Sequence, residues 1–212
     1  MKTFNKKKLS TLALALALLA SVRSLDAVPA FAEAPAASQP VVLTASAVAV
    51  ADKFSADAAE QIFKEGGNAV DAAAAIAFTL AVTYPEAGNI GGGGFMTIYM
   101  NGKPYFLDYR ERAPLAATKN MYLDDEGKVI EGMSLIGYRA VGVPGTVEGM
   151  WEAQRRFGNL RWAQVLAPAI KYAREGFEVD AQLQERRDAA AKYFAGKTNF
   201  DAYFGALKQG TN

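Results

Sequence analysis

The chain has 212 residues, 51% of them hydrophobic, and a formal net charge of +1. That length bounds it to one or two domains, and without a basic cluster after residue 8 it lacks the electrostatic footprint of a nucleic-acid binder. It contains neither His nor Cys, which excludes Ser-His-Asp and Cys-His nucleophile pairs, His- or Cys-ligated zinc, and disulfides.

Chemistry carried by these residues alone would fall to carboxylates, Lys, Arg, or a hydroxyl activated by an amine. No cofactor or metal is expected. The N-terminus reads as an export signal. Lys2, Lys6, Lys7 and Lys8 precede a Leu/Ala run over residues 12–22, too short to span a bilayer, and Ala30-Phe31-Ala32 has the small-x-small pattern of a cleavage site. Residues 1–32 are therefore expected to be cut away before Glu33. The competing reading, a buried core helix, fits the Lys-rich flank poorly. Residues 33–40, rich in Ala, Pro and Ser, read as a flexible leader. With no second long apolar run, the mature protein is expected to be periplasmic or secreted, without a membrane span.

Residues 41–50 are dense in Val, Leu, Ala and Thr and read as a buried strand. A helix is predicted over 55–64, with Ser55 as N-cap and Gly66-Gly67 as the stop. Asn68 is a good N-cap for a second helix, with Asp71 favoured by the helix dipole, running to about Val82 until Pro85 forces extended chain. This second helix is apolar almost all round, with Ala at 69, 72–75, 77 and 81. Such a helix is packed between layers, its small residues letting the backbone lie close to a sheet.

Phe95–Met100 and Pro104–Tyr109 flank Asn101-Gly102 and predict an antiparallel hairpin. A turn is expected at Asp124–Gly127. Helices follow over 146–157, 162–175 and 180–194, with Pro168 marking a kink or restart in the second and the third charge-rich and surface-facing. Residues 195–212 mix turn and short apolar sequence.

Three motifs invite a functional reading. Gly91–Gly94 follows a helix and leads into a strand, the reverse of a dinucleotide-binding loop, and Met96 stands where the third Gly should be. The run offers either a tight turn or close backbone approach. Gly196-Lys197-Thr198 mimics the end of a phosphate-binding loop, but Ala191 replaces the first Gly and a charged helix precedes it. Asp108-Tyr109-Arg110-Glu111-Arg112 is either a solvated strand end or a place where one Arg turns its planar fork of donors toward a carboxylate. The pattern alone does not say which Arg.

These segments together are recognisable. Lys64–Ala74, Pro85–Met96, Asp108–Glu111 with Ala113-Pro114, Gly142–Val147 and Pro168–Phe177 closely resemble, in order, motifs of the gamma-glutamyltransferase family. The resemblance runs from about residue 45 to the end. It implies an α/β (α+β) fold, here an incomplete portion of a four-layer αββα sandwich of the N-terminal-nucleophile hydrolase type. It also implies a precursor that cuts itself into a large and a small subunit. The N-terminal Thr of the small subunit, with its own amine as base, attacks the gamma-glutamyl amide of glutathione. The glutamyl group then passes to water, an amino acid or a peptide. By motif match, Arg110 corresponds to the Arg that holds the substrate α-carboxylate, and Arg112 takes no role. The expected partners are a small-molecule gamma-glutamyl substrate and the small subunit.

The attacking Thr and the oxyanion donors match nothing in residues 1–212, so no catalytic residue is assigned. Gly205–Thr211 resembles a mid-domain stretch of the large subunit. The chain is accordingly expected to be an N-terminal part, truncated within its domain (41–212) and inactive alone. Two alternatives are a related glutaryl or cephalosporin-type acylase, and a non-catalytic carboxylate-binding remnant.

Overall fold

The computed structural model describes residues 45–210, so the export signal and leader expected over residues 1–40 lie outside the described residues. Helix α1 spans Lys53–Lys64 and α2 spans Ala69–Thr83. Strands β1 (Phe95–Met100) and β2 (Lys103–Asp108) follow, then α3 (Thr146–Phe157), α4 (Trp162–Glu175), α5 (Ala181–Phe194) and the short α6 (Phe200–Phe204). No helix among the described residues is long and apolar enough to cross a membrane.

α2 is the centre of the packing, and no residue from Val70 to Thr83 is exposed. Its small side chains admit close neighbours: Ala72, Ala74 and Ala75 form one buried cluster with Ala59 and Ile62 of α1, Met150 of α3 and Val165 of α4. The helix therefore lies among three helices rather than flat against a sheet. It reaches the hairpin at its first turn, where Val70 meets Ile98 and Ala153.

Both ends of α2 are tied down by carboxylates. At its start Asn68 and Asp71 form a reciprocal capping box: the Asn68 side chain accepts from the Val70 and Asp71 N–H groups, and Asp71 accepts from Asn68 N at 3.0 Å. At its end the Thr83 hydroxyl donates to Asp52 at 2.5 Å. Asp52, not Ser55, is the N-cap of α1. Its carboxylate accepts from Ser55 N at 2.7 Å, while Ser55 is buried inside the first turn. The predicted cap fails by three residues because Asp offers an acceptor-only side chain that serves two helices at once.

The strand expected over residues 41–50 is not formed where it is described. Residues 45–50 run without a ladder, and 41–44 lie outside the described residues. An apolar run becomes a strand only where neighbouring N–H and C=O groups pair with it, and the sheet among the described residues is the two-stranded hairpin. That hairpin forms as predicted, with Phe95 opposite Asp108 and Met100 opposite Lys103. Asn101 and Gly102 both take positive φ (53° and 74°), the pair of left-handed residues a two-residue hairpin turn requires.

The turn at Asp124–Gly127 is present, with Gly127 N donating to Asp124 O at 3.0 Å. α4 continues as a helix through the buried Pro168 instead of restarting. α5 is surface-facing, with Leu183 buried and Asp180 as its N-cap.

Candidate functional site

Arg110 follows directly on β2, at the point where the chain leaves the hairpin. Its N–H donates to Asp108 Oδ1 at 3.0 Å. Its guanidinium Nε lies 3.2 Å from Glu111 Oε2, and the guanidinium sits 5.8 Å from the centre of the Phe95 ring. The side chain is 56% exposed. Among the described residues its two terminal nitrogens donate no hydrogen bond to protein. An Nε held by a carboxylate and a free terminal pair leave one donor edge available for a planar anion.

Arg110 lines an open cleft of about 260 Å³ with Asp108, Arg112, Pro144, Glu148 and Glu152. The structure thus brings both arginines of the motif to one rim. They differ in backbone setting. Arg112 is paired into a bridge with Val143, donating at 3.0 Å and accepting at 2.7 Å. Glu152 is already engaged by Arg155 at 2.8 Å.

The tripeptide Tyr109–Glu111 is gripped by glycines from two separate stretches. A side chain on Gly93 would collide with the Tyr109 carbonyl and the Glu111 N–H, and one on Gly145 would collide with the Tyr109 carbonyl from the α3 side. Gly94 and Gly149 close on the ring itself: a Cβ at Gly94 would lie 3.0 Å from the ring edge, and one at Gly149 would overlap the ring base. The two stretches are also bonded to each other. Gly145 N and Thr146 N donate to Gly92 O at 2.8 and 3.1 Å, which caps α3 where no side chain does so. Gly149 sits inside a helix, where Gly costs about 1 kcal/mol relative to Ala. The Tyr109 ring is what occupies the space.

The glycine run is therefore a close-approach surface, consistent with one of the two readings its sequence allowed. Tyr109 is half-buried, and loss of water raises its phenol pKa above the ordinary tyrosine value. Sequence reasoning passed over Tyr109 and Gly149. The available signal was a Gly inside an otherwise helical segment.

Sequence reasoning also gave Asp71 only a dipole role. The structure buries it completely and surrounds it with donors: Asn159 N at 2.8 Å, Asn68 N at 3.0 Å, Gln154 Nε2 at 3.2 Å and Leu160 N at 3.4 Å. It joins the start of α2 to the α3–α4 turn, and a Cβ at Gly158 would collide with it. Among the described residues no group of three or more acidic side chains is placed to hold a metal ion. The Gly196-Lys197-Thr198 segment lies in the turn between α5 and α6 and does not line the Arg110 cleft.

The profile of the family described as Gamma-glutamyltranspeptidase matches residues 55–211. The chain belongs to the gamma-glutamyltranspeptidase family. The Glutathione hydrolase proenzyme of Pseudomonas aeruginosa is 62% identical over 189 residues, covering 89% of this chain and 34% of that protein. Among solved structures, a gamma-glutamyltranspeptidase from Pseudomonas nitroreducens complexed with L-DON superposes with a TM-score of 0.76 at 62% identity. It covers 80% of this chain and 50% of that one. A cephalosporin acylase from Bacillus halodurans is also similar, at 29% identity and a TM-score of 0.63, over 75% of this chain and 30% of that one.

The chain thus spans about a third of the length of the curated gamma-glutamyltranspeptidase relative and about half of the solved one. It corresponds to the N-terminal part of the family's large subunit and carries a portion of the N-terminal-nucleophile hydrolase fold. The helices around α2 and the hairpin are that portion.

Proposed function

We propose that this chain supplies the carboxylate-gripping part of a gamma-glutamyl hydrolase or transferase acting on glutathione and related amides, with Arg110 as the residue that holds the substrate α-carboxylate. The observation that carries the reading is the setting of Arg110. Its backbone is pinned to Asp108 and its Nε faces Glu111, while its terminal nitrogens are open at a cleft rim. A carboxylate received there gains charge-assisted, paired hydrogen bonds that Lys would not reproduce. The bond-breaking group belongs to a segment outside the motifs matched here, a Thr of the small subunit whose own amine serves as base. In this reading the 212 residues bind and orient the substrate and do not turn it over by themselves. The small subunit is the partner, and residues 1–32 direct export to the periplasm or beyond.

The acylase alternative rests on the lower of the two identities, and the gamma-glutamyl reading is favoured over it. The test uses a chimeric proenzyme in which residues 46–210 replace the matching stretch of the Pseudomonas aeruginosa relative. Hydrogen bonds to charged groups contribute about 1.5–3 kcal/mol each. Arg110→Ala is therefore expected to raise the KM for a gamma-glutamyl anilide by about 10- to 100-fold, with Arg110→Lys recovering little. An unchanged KM, or an unsubstituted chimera without turnover, overturns the proposal.

A further inference from the structure

Arg110 is the middle residue of a tripeptide held on both sides. Gly93 and Gly145 approach its flanking backbone, and Gly94 and Gly149 enclose the Tyr109 ring. Those glycines come from the turn before β1, the loop before α3 and the body of α3. The Gly92–Gly145 hydrogen bond locks the first two of these elements together. Meanwhile the Arg110 side chain is largely exposed, and its one ion pair among the described residues is with its sequence neighbour Glu111. The side chain itself is thus weakly restrained, and its aim depends on where the backbone at 109–111 sits.

We infer that Tyr109, seated in the notch formed by Gly94 and Gly149, is a positioning residue that sets the reach of Arg110 and so determines selectivity for donors that carry an α-carboxylate. The inference rests on the proposed role of Arg110. It adds that the selectivity is set from behind, by ring-against-glycine packing. A binding group displaced by an ångström or so loses much of its effect, and a methyl at Gly149 forces a displacement because the ring base already fills that space. The phenol hydroxyl contributes little, since its hydrogen bond to Phe95 O is long at 3.4 Å. The ring is the part that matters.

The experiment compares two substrates in the chimeric proenzyme: a gamma-glutamyl anilide and a 4-aminobutyryl anilide, which lacks the α-carboxylate. The readout is the ratio of their kcat/KM values. Gly149→Ala and Tyr109→Ala are each expected to lower that ratio at least 10-fold, mainly through KM for the carboxylate-bearing donor. Tyr109→Phe, which keeps the ring, is expected to leave it within about 2-fold. A merely structural role would lower both activities together and leave the ratio standing, which overturns the inference. Should Gly149→Ala give no folded enzyme, Tyr109→Ala decides alone, because it removes bulk without creating a clash. Arg110→Ala separates the two levels. If it leaves the ratio unchanged, the proposed function falls. If it collapses the ratio while Tyr109→Ala and Gly149→Ala do not, only the positioning inference falls.

Discussion

Asp71→Asn is a severe change despite being nearly isosteric. In the native chain Asp71 Oδ2 accepts from Asn68 N and Asn159 N, and Oδ1 accepts from Gln154 Nε2 and Leu160 N. All four partners are donors, and the residue is fully buried. An amide keeps one oxygen, so whichever way it turns, its NH2 faces two N–H groups in place of an acceptor. Each buried donor left without a partner costs about 1–3 kcal/mol. Some of this is offset because the neutral amide is cheaper to bury than a carboxylate. A net loss of about 2–4 kcal/mol follows, a large part of the 5–15 kcal/mol typical of a whole domain.

The two Trp residues of the chain make the assay direct. Trp151 and Trp162 lie on either side of the α3–α4 turn that Asp71 holds, with ring centroids 5.4 Å apart in an edge-to-face arrangement. Urea unfolding followed by their fluorescence should show the midpoint falling by about 1–2 M at a slope of about 2 kcal/mol/M, the middle of the usual range. The measurement is made on the 212-residue chain and repeated in the chimeric proenzyme. A loss below about 0.5 kcal/mol, the range of ordinary surface substitutions, would refute the assignment of Asp71 as a four-donor anchor.

Three further outcomes are expected. Thr83→Val removes the donor to Asp52 and should cost about 1–2 kcal/mol in a thermal or urea melt, with Asp52→Ala costing more because it also strips the N-cap of α1. Tyr109 has a folded-state pKa raised by loss of water, so its contribution to stability is fully present below the unfolded value near 10. That contribution is lost as pH rises through the folded value, and Tyr109→Phe should flatten the alkaline limb of a stability–pH curve. Mass spectrometry of exported protein should find a mature N-terminus at Glu33. Retention of residues 1–32 on exported protein would refute the signal reading.

Local signals carried far along this chain, and long-range ones carried little. Unlike the short α6 at Phe200–Phe204, the Asn101-Gly102 hairpin, the Asn68 cap and the three helices within residues 146–194 were all legible. Each is set by neighbours within a turn or two, through positive φ, a short capping side chain or helical spacing. The strand expected over residues 41–50 is not formed over 45–50, its described part, for the opposite reason, since a strand depends on a partner that its own residues do not encode. Asp71 was half legible. Its place in a capping box shows at a spacing of three residues, whereas its bonds to Gln154, Asn159 and Leu160 join positions more than 80 residues apart. The site followed the same rule. Arg110 was singled out by family likeness and lies on an open rim, but the glycine notch behind it joins residues 94, 109 and 149, which no periodicity links.

The two faces of the hairpin explain why that notch matters. Ile98, with Met96, Met100, Tyr105 and Leu107, packs inward on Val70, Ala153 and Phe157. Phe95, Tyr99 and Phe106 face outward and are more than half exposed, Phe95 and Phe106 stacked at 5.7 Å. A two-stranded hairpin is marginal by itself, so among the described residues its orientation depends on the inward face and on what grips its ends. At one end is the free turn at Asn101-Gly102. At the other, the ladder continues through Tyr109 N to Gly94 O at 3.0 Å and runs straight into the glycine grip. Arg110 stands at the held end. An arginine placed at the turn would swing with a loose hairpin, whereas the residue before Arg110 is wedged against α3. The rigidity that the proposed role of Arg110 calls for would come from α3 and the glycines, with the hairpin carrying Arg110 to the rim.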